Sequence, residues 1–72
     1  MGDRELRSPG LGTVLEVLVA EGSAVEVGDE ILVIESMKME IPVVTVTAGT
    51  VRTIHVAVGA QVGEQELLVT LS

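Results

Sequence analysis

Lys38 is the only lysine in a chain of 72 residues, and it lies between Met37 and Met39 with Glu35 and Glu40 just beyond. A lone primary amine can attack an activated acyl group and form an amide. Nothing nearby in sequence would activate it. An unperturbed lysine amine, with a pKa of about 10.4, is almost wholly protonated at neutral pH. Activation must therefore come from another protein, so the chain reads as a substrate for modification. His55, the one histidine, has no acid or nucleophile beside it in sequence and is expected at the surface rather than as a base. Without a paired acid and base, a metal-ligand cluster or a nucleophile constellation, an independent enzyme is the weakest reading.

The elements around Lys38 must hold it in place. Ile31-Leu32-Val33-Ile34 precedes it and Ile41-Pro42-Val43-Val44 follows, two β-rich runs about a polar break. That pattern predicts a hairpin. The break lacks the Asn-Gly or Asp-Gly pair that a tight hairpin turn prefers. If Met37 and Lys38 form the corner, non-glycine residues enter a left-handed region at a cost of about 1–2 kcal/mol each. A local rule broken inside a regular segment points to function.

Taken in order, the chain predicts strands separated by turns. A short strand is expected about Leu6 before Ser8-Pro9-Gly10 turns the chain. Gly12 to Ala20 reads as a strand, with Val17 and Val19 on one face and Glu16 and Leu18 on the other. Val14 is out of phase with Val17, which predicts a bulge near Leu15-Glu16. Ala24 to Val27 is a brief extended segment after a turn at Glu21-Gly22-Ser23. Ile31 to Ile34 is apolar throughout, as in a strand covered on both faces. Pro42 lacks an amide hydrogen and predicts an edge or bulged strand. Strands from Thr50 to Ala57 and from Glu66 to Leu71 complete the series.

The second half repeats the first. A shift of 37 positions (49 − 12) lays Gly12-Thr13-Val14 on Gly49-Thr50-Val51. It also pairs Val17 with Ile54, Gly22 with Gly59, Val25 with Val62 and Ile34 with Leu71. Two copies of one four-strand unit, neither able to bury its face alone, imply a β-sandwich with internal pseudo-two-fold symmetry. The first copy runs on into Glu35-Ser36-Met37-Lys38, and this corner is the departure from symmetry.

Composition narrows the function. A single domain spanning residues 1–72 is expected, frayed over 1–4, with an aliphatic core and no disulfide, since no cysteine is present. The chain has no Phe, Trp or Tyr, which removes the stacking platforms of single-strand nucleic-acid binders. A net charge of −7 opposes duplex nucleic acid and anionic membrane surfaces. No apolar run approaches the length of a membrane span, and the charged start is unlike a signal peptide. A cytoplasmic monomer is the expectation.

Ser36-Met37-Lys38-Met39 resembles the Met-Lys-Met attachment motif of biotin carboxyl carrier domains. Ser8-Pro9-Gly10-Leu11-Gly12-Thr13-Val14 is similar to the Ser-Pro-Met-x-Gly stretch that opens them. Gly22, Val25, Gly28-Asp29 and Gly49-Thr50-Val51 fall where that family places turns and strands. The resemblance runs from about Leu6 to Leu71 and looks closest to small single-domain biotinylated proteins. It implies an all-β fold, a flattened β-barrel or sandwich of two four-stranded antiparallel sheets. The short Ala20-Glu21-Gly22-Ser23 connection leaves no room for the thumb of some bacterial carriers, so the form is thumbless. The resemblance further implies covalent biotin on Lys38, with Met37 and Met39 as flanking recognition residues. The implied partners are a biotin protein ligase and the biotin carboxylase and carboxyltransferase components between which the arm moves. Core packing is the competing reading for the two methionines.

Two other functions remain open at this point. A lipoyl carrier of a 2-oxoacid dehydrogenase system would use the same fold, although such domains more often show Asp-Lys-Ala than Met-Lys-Met. A binding module that is never modified would use the fold without the amine.

Overall fold

The structure, a computed structural model, describes residues 3–72. Eight strands follow one another: β1 (Arg4–Arg7), β2 (Gly12–Val17), β3 (Ala24–Val25), β4 (Glu30–Ser36), β5 (Met39–Val44), β6 (Gly49–Ile54), β7 (Gln61–Val62) and β8 (Leu67–Leu71). They form two four-stranded antiparallel sheets, ordered β1-β8-β6-β3 and β5-β4-β2-β7. The fold is the all-β sandwich that the repeat implies. Arg4 pairs with Leu71, and the Asp3 carboxylate accepts from the Arg52 guanidinium. Ordered structure thus begins earlier than the charged composition suggests, because cross-strand pairing and an ion pair engage these residues. The fraying expected at residues 1 and 2 lies outside the described residues.

The two-fold is visible bond by bond. The Thr45 amide donates to the Asp29 carbonyl at 3.0 Å, and 37 positions on the chain closes the same way, Ser8 donating to Glu66 at 2.9 Å. Val14 donates to Ala60 as Val51 donates to Ser23. The bulge expected near Leu15-Glu16 is present as a register shift between Val14 and Glu16. Its counterpart falls between Val51 and Thr53. One exchange ties the halves together. The two-residue strand β3 pairs with β6, and β7 pairs with β2, so each copy lends a strand to the other's sheet.

Aliphatic side chains fill the space between the sheets, among them Ile31, Leu32, Ile34, Leu68 and Leu71, each almost wholly buried. Val33 is buried but lies outside that cluster, whereas Glu35, two residues on along the same face, is exposed, so the outer face of β4 is shielded at Val33 and open at Glu35. Ser8 and Thr45 are the buried polar residues, and they occupy equivalent places. The Thr45 hydroxyl donates to the Thr47 carbonyl and accepts from the Thr47 amide; the Ser8 hydroxyl treats Gly10 likewise. Each closes its own turn, so neither carries a desolvation penalty. Pro42 lies on β5, an edge strand, where a missing donor costs no ladder bond.

Candidate functional site

Strands β4 and β5 hold the site. Glu35 pairs with Glu40 and Ser36 with Met39, leaving Met37 and Lys38 as a two-residue turn. Both have positive φ, 52° at Met37 and 65° at Lys38. Positive φ at both central residues marks a type I′ turn, whose hand matches the right-handed twist of the strands it joins. Glycine or asparagine would adopt this conformation more readily. The strain expected from the sequence is therefore present, on the two residues at the apex.

Lys38 is exposed, as are Glu35 and Glu40. Among the described residues the ion pairs are Arg7–Glu5 and Arg52–Asp3, and neither engages Lys38. Met37 is 92% exposed and Met39 62%, so core packing does not account for either methionine. The turn thus presents an amine between two polarizable apolar side chains on a rigid hairpin. His55 stands apart, exposed just past the end of β6, with its Nε2 2.8 Å from the Thr70 hydroxyl.

Beside the turn lies an open groove of about 470 Å³, lined by Leu11, Thr13, Glu35, Ser36, Gln61 and Val62, with Met37 and Lys38 completing it. Sequence reasoning does not single out Leu11, Thr13 or Gln61 as site residues. They arrive through pairing: Thr13 lies opposite Glu35 on one side and Gln61 on the other. A two-residue strand such as β7 has too little periodicity to announce that pairing. The repeat, which sets Val25 against Val62, is the one signal that could have hinted at it.

A family model described as "biotin-requiring enzyme", the biotinyl/lipoyl family, matches residues 4–71. The chain belongs to this family. It is 40% identical over 68 residues to the biotinylated protein TB7.3 homolog of Mycobacterium leprae, covering 94% of this chain and 96% of that protein. It is 48% identical over 66 residues to the mitochondrial propionyl-CoA carboxylase alpha chain of Homo sapiens, covering 92% of this chain but 9% of that one. Among solved structures, the lipoyl domain of the 2-oxoglutarate dehydrogenase complex from Azotobacter vinelandii superposes with a TM-score of 0.80 at 27% identity, covering 94% of each chain. The Kluyveromyces lactis urea carboxylase matches with a TM-score of 0.94 at 29% identity, covering all of this chain and 6% of that one.

Proposed function

We propose that the protein is a biotin carrier, with Lys38 the residue that receives biotin. The observation that carries this reading is the exposed Lys38 at the apex of a strained two-residue turn. In the proposed reaction a biotin protein ligase supplies biotinyl-adenylate. The Lys38 amine attacks the acyl carbonyl, an amide forms, AMP leaves and the amine gives up its proton. Met37 and Met39, flexible and polarizable, suit a surface that the ligase and later partners must each contact. Biotin supplies a ureido nitrogen that can take up and release carboxylate. The carrier holds that group on a long arm, and tethering raises its concentration at the biotin carboxylase and carboxyltransferase sites within reach.

Association with a carboxylase is supported by relatives that are carboxylase chains. The chain spans small parts of those proteins. A monomer is favoured by edges that resist pairing: β3 and β7 are two residues long, β5 carries Pro42, and β1 carries Arg4, Glu5 and Arg7. The cysteine-free, acidic chain suits a reducing cytoplasm. The lipoyl reading has the fold likeness behind it, but Met-Lys-Met at the turn favours biotin. The test is reaction with a biotin protein ligase, biotin and ATP, followed by peptide mapping. Biotin on the Lys38 peptide of the wild type and none on Lys38→Arg is the expected outcome. Inert wild-type protein would leave an unmodified binding module.

A further inference from the structure

The groove beside the turn has a chemistry of its own. Its volume, about 470 Å³, lies within the range of small-molecule sites. One part of its lining is apolar, from Leu11 and Met37, and another is polar, from Thr13, Glu35, Ser36 and Gln61, while Val62 borders it with its side chain buried in the core. Among the described residues, none of those four polar side chains makes a hydrogen bond within the protein. Thr13, Glu35 and Gln61 are direct cross-strand neighbours, so three of these groups stand in one row on one face of the sheet with their capacity free. Leu11, 71% exposed, belongs to the same lining.

We propose that this groove is a resting site for the head group carried by Lys38, so that the arm alternates between a retracted and an extended state. The inference rests on the carrier reading above. Biotin's head group offers two ureido N–H donors, a carbonyl acceptor and an apolar thioether ring. The Glu35 carboxylate can accept from the ureido N–H groups. The Thr13 hydroxyl and the Gln61 amide can donate to the carbonyl, and Leu11 and Met37 can cover the sulfur ring. Lys38 belongs to the groove's own lining, so the tether can fold back without deforming the hairpin. Weak binding is sufficient. A short flexible tether gives an effective concentration of about 1 mM, so an intrinsic Kd of about 1 mM leaves the arm about half retracted. A carrier that must release its cargo to two partners needs a resting site of this low affinity.

The test uses the full chain in two forms, unmodified and biotinylated on Lys38, the latter verified by mass. Amide chemical shifts are compared between them, and neutral biotin amide is titrated into the unmodified form. Perturbation of Leu11–Thr13, Glu35–Ser36 and Gln61–Val62 in both experiments is the expected result. Perturbation confined to residues 36–39 in the biotinylated form, with no response to biotin amide, would overturn the proposal. A second readout is the rate of capture by streptavidin. With the arm half retracted, the double variant Leu11→Ala, Gln61→Ala is captured about twofold faster than wild type. Equal rates, with the rest of the amide spectrum unchanged, would also overturn it. Failure of the carrier reading is seen separately, as the absence of biotin on Lys38 by mass.

Discussion

Gly12 lies so close to Glu35 that a Cβ on the glycine would sit 2.6 Å from the Glu35 carbonyl oxygen and against Ile34 Cγ2. The first residue of β2 is thereby pressed onto the strand that leads into the Lys38 turn. Gly49 repeats the relationship across the two-fold, where a Cβ would meet the Ser72 carbonyl oxygen at 2.6 Å. Backbone atoms cannot swing aside as a long side chain can, so both positions exclude any other residue without movement of a strand. Gly12→Ala is expected to cost about 1–3 kcal/mol, the range for overpacking a close-packed site. Gly10→Ala, where nothing lies within 4 Å, is the control and is expected near neutrality. Urea denaturation of the two variants checks this, and equal stabilities would refute the close-packing account.

Gln65 carries a second prediction. Its φ is 64°, and its equivalent in the other half is Gly28, at 93°. The same turn is thus built once with glycine and once with an exposed side chain under strain. Gln65→Gly is expected to stabilise the protein by about 1 kcal/mol, since a left-handed residue with a Cβ costs about that much. Gly28→Ala is expected to destabilise it by a similar amount. Thermal unfolding of both variants reads the sign directly.

The strain at the apex belongs to the same class but serves the site. Replacing Met37-Lys38 with Asn-Gly supplies the pair that type I′ turns prefer. The variant is expected to be more stable than wild type by about 1–3 kcal/mol, while losing the amine entirely. A gain in unfolding midpoint together with loss of modification would show that stability is sacrificed here for function. No gain would mean that the turn is not strained.

Lys38→Arg separates the amine from the fold. The side chain is exposed and outside the ion pairs found among the described residues. Stability should change by less than about 0.5 kcal/mol, as for an ordinary surface substitution. Thr45→Val, by contrast, removes a buried hydroxyl that both donates to and accepts from Thr47. It is expected to cost about 1–3 kcal/mol by leaving the Thr47 groups unpaired. Denaturation midpoints of the two variants provide the comparison.

Much of this architecture is legible in the sequence, for identifiable reasons. The 37-residue repeat, the apolar run Ile31–Ile34, the edge position of Pro42 and the bulge after Val14 all follow from periodicity and proline chemistry. Two expected strands run too long, to Ala20 and Ala57, whereas β2 ends at Val17 and β6 at Ile54. The overrun has one cause. Val19 and Val56 still pack against the core after the ladder has ended, so alternation outlasts pairing. Val27, expected in an extended segment, instead lies in the turn beyond β3 and is 67% exposed. The exchange of β3 and β7 was not legible, because two residues cannot display a period. Lys38 was legible as a site through its solitude and its flanks. Its groove was not, since Thr13, Glu35 and Gln61 meet only through register.

The central claim is that Lys38 bears biotin. Intact-mass analysis of the protein purified from its native host, with peptide mapping across residues 36–40, tests it most directly. The account predicts a mass increase of one biotinyl group, located on Lys38. A lipoyl group on Lys38 would contradict the claim and move the protein to dehydrogenase systems. Unmodified Lys38, still inert toward the host's own ligase with biotin and ATP, would contradict it outright.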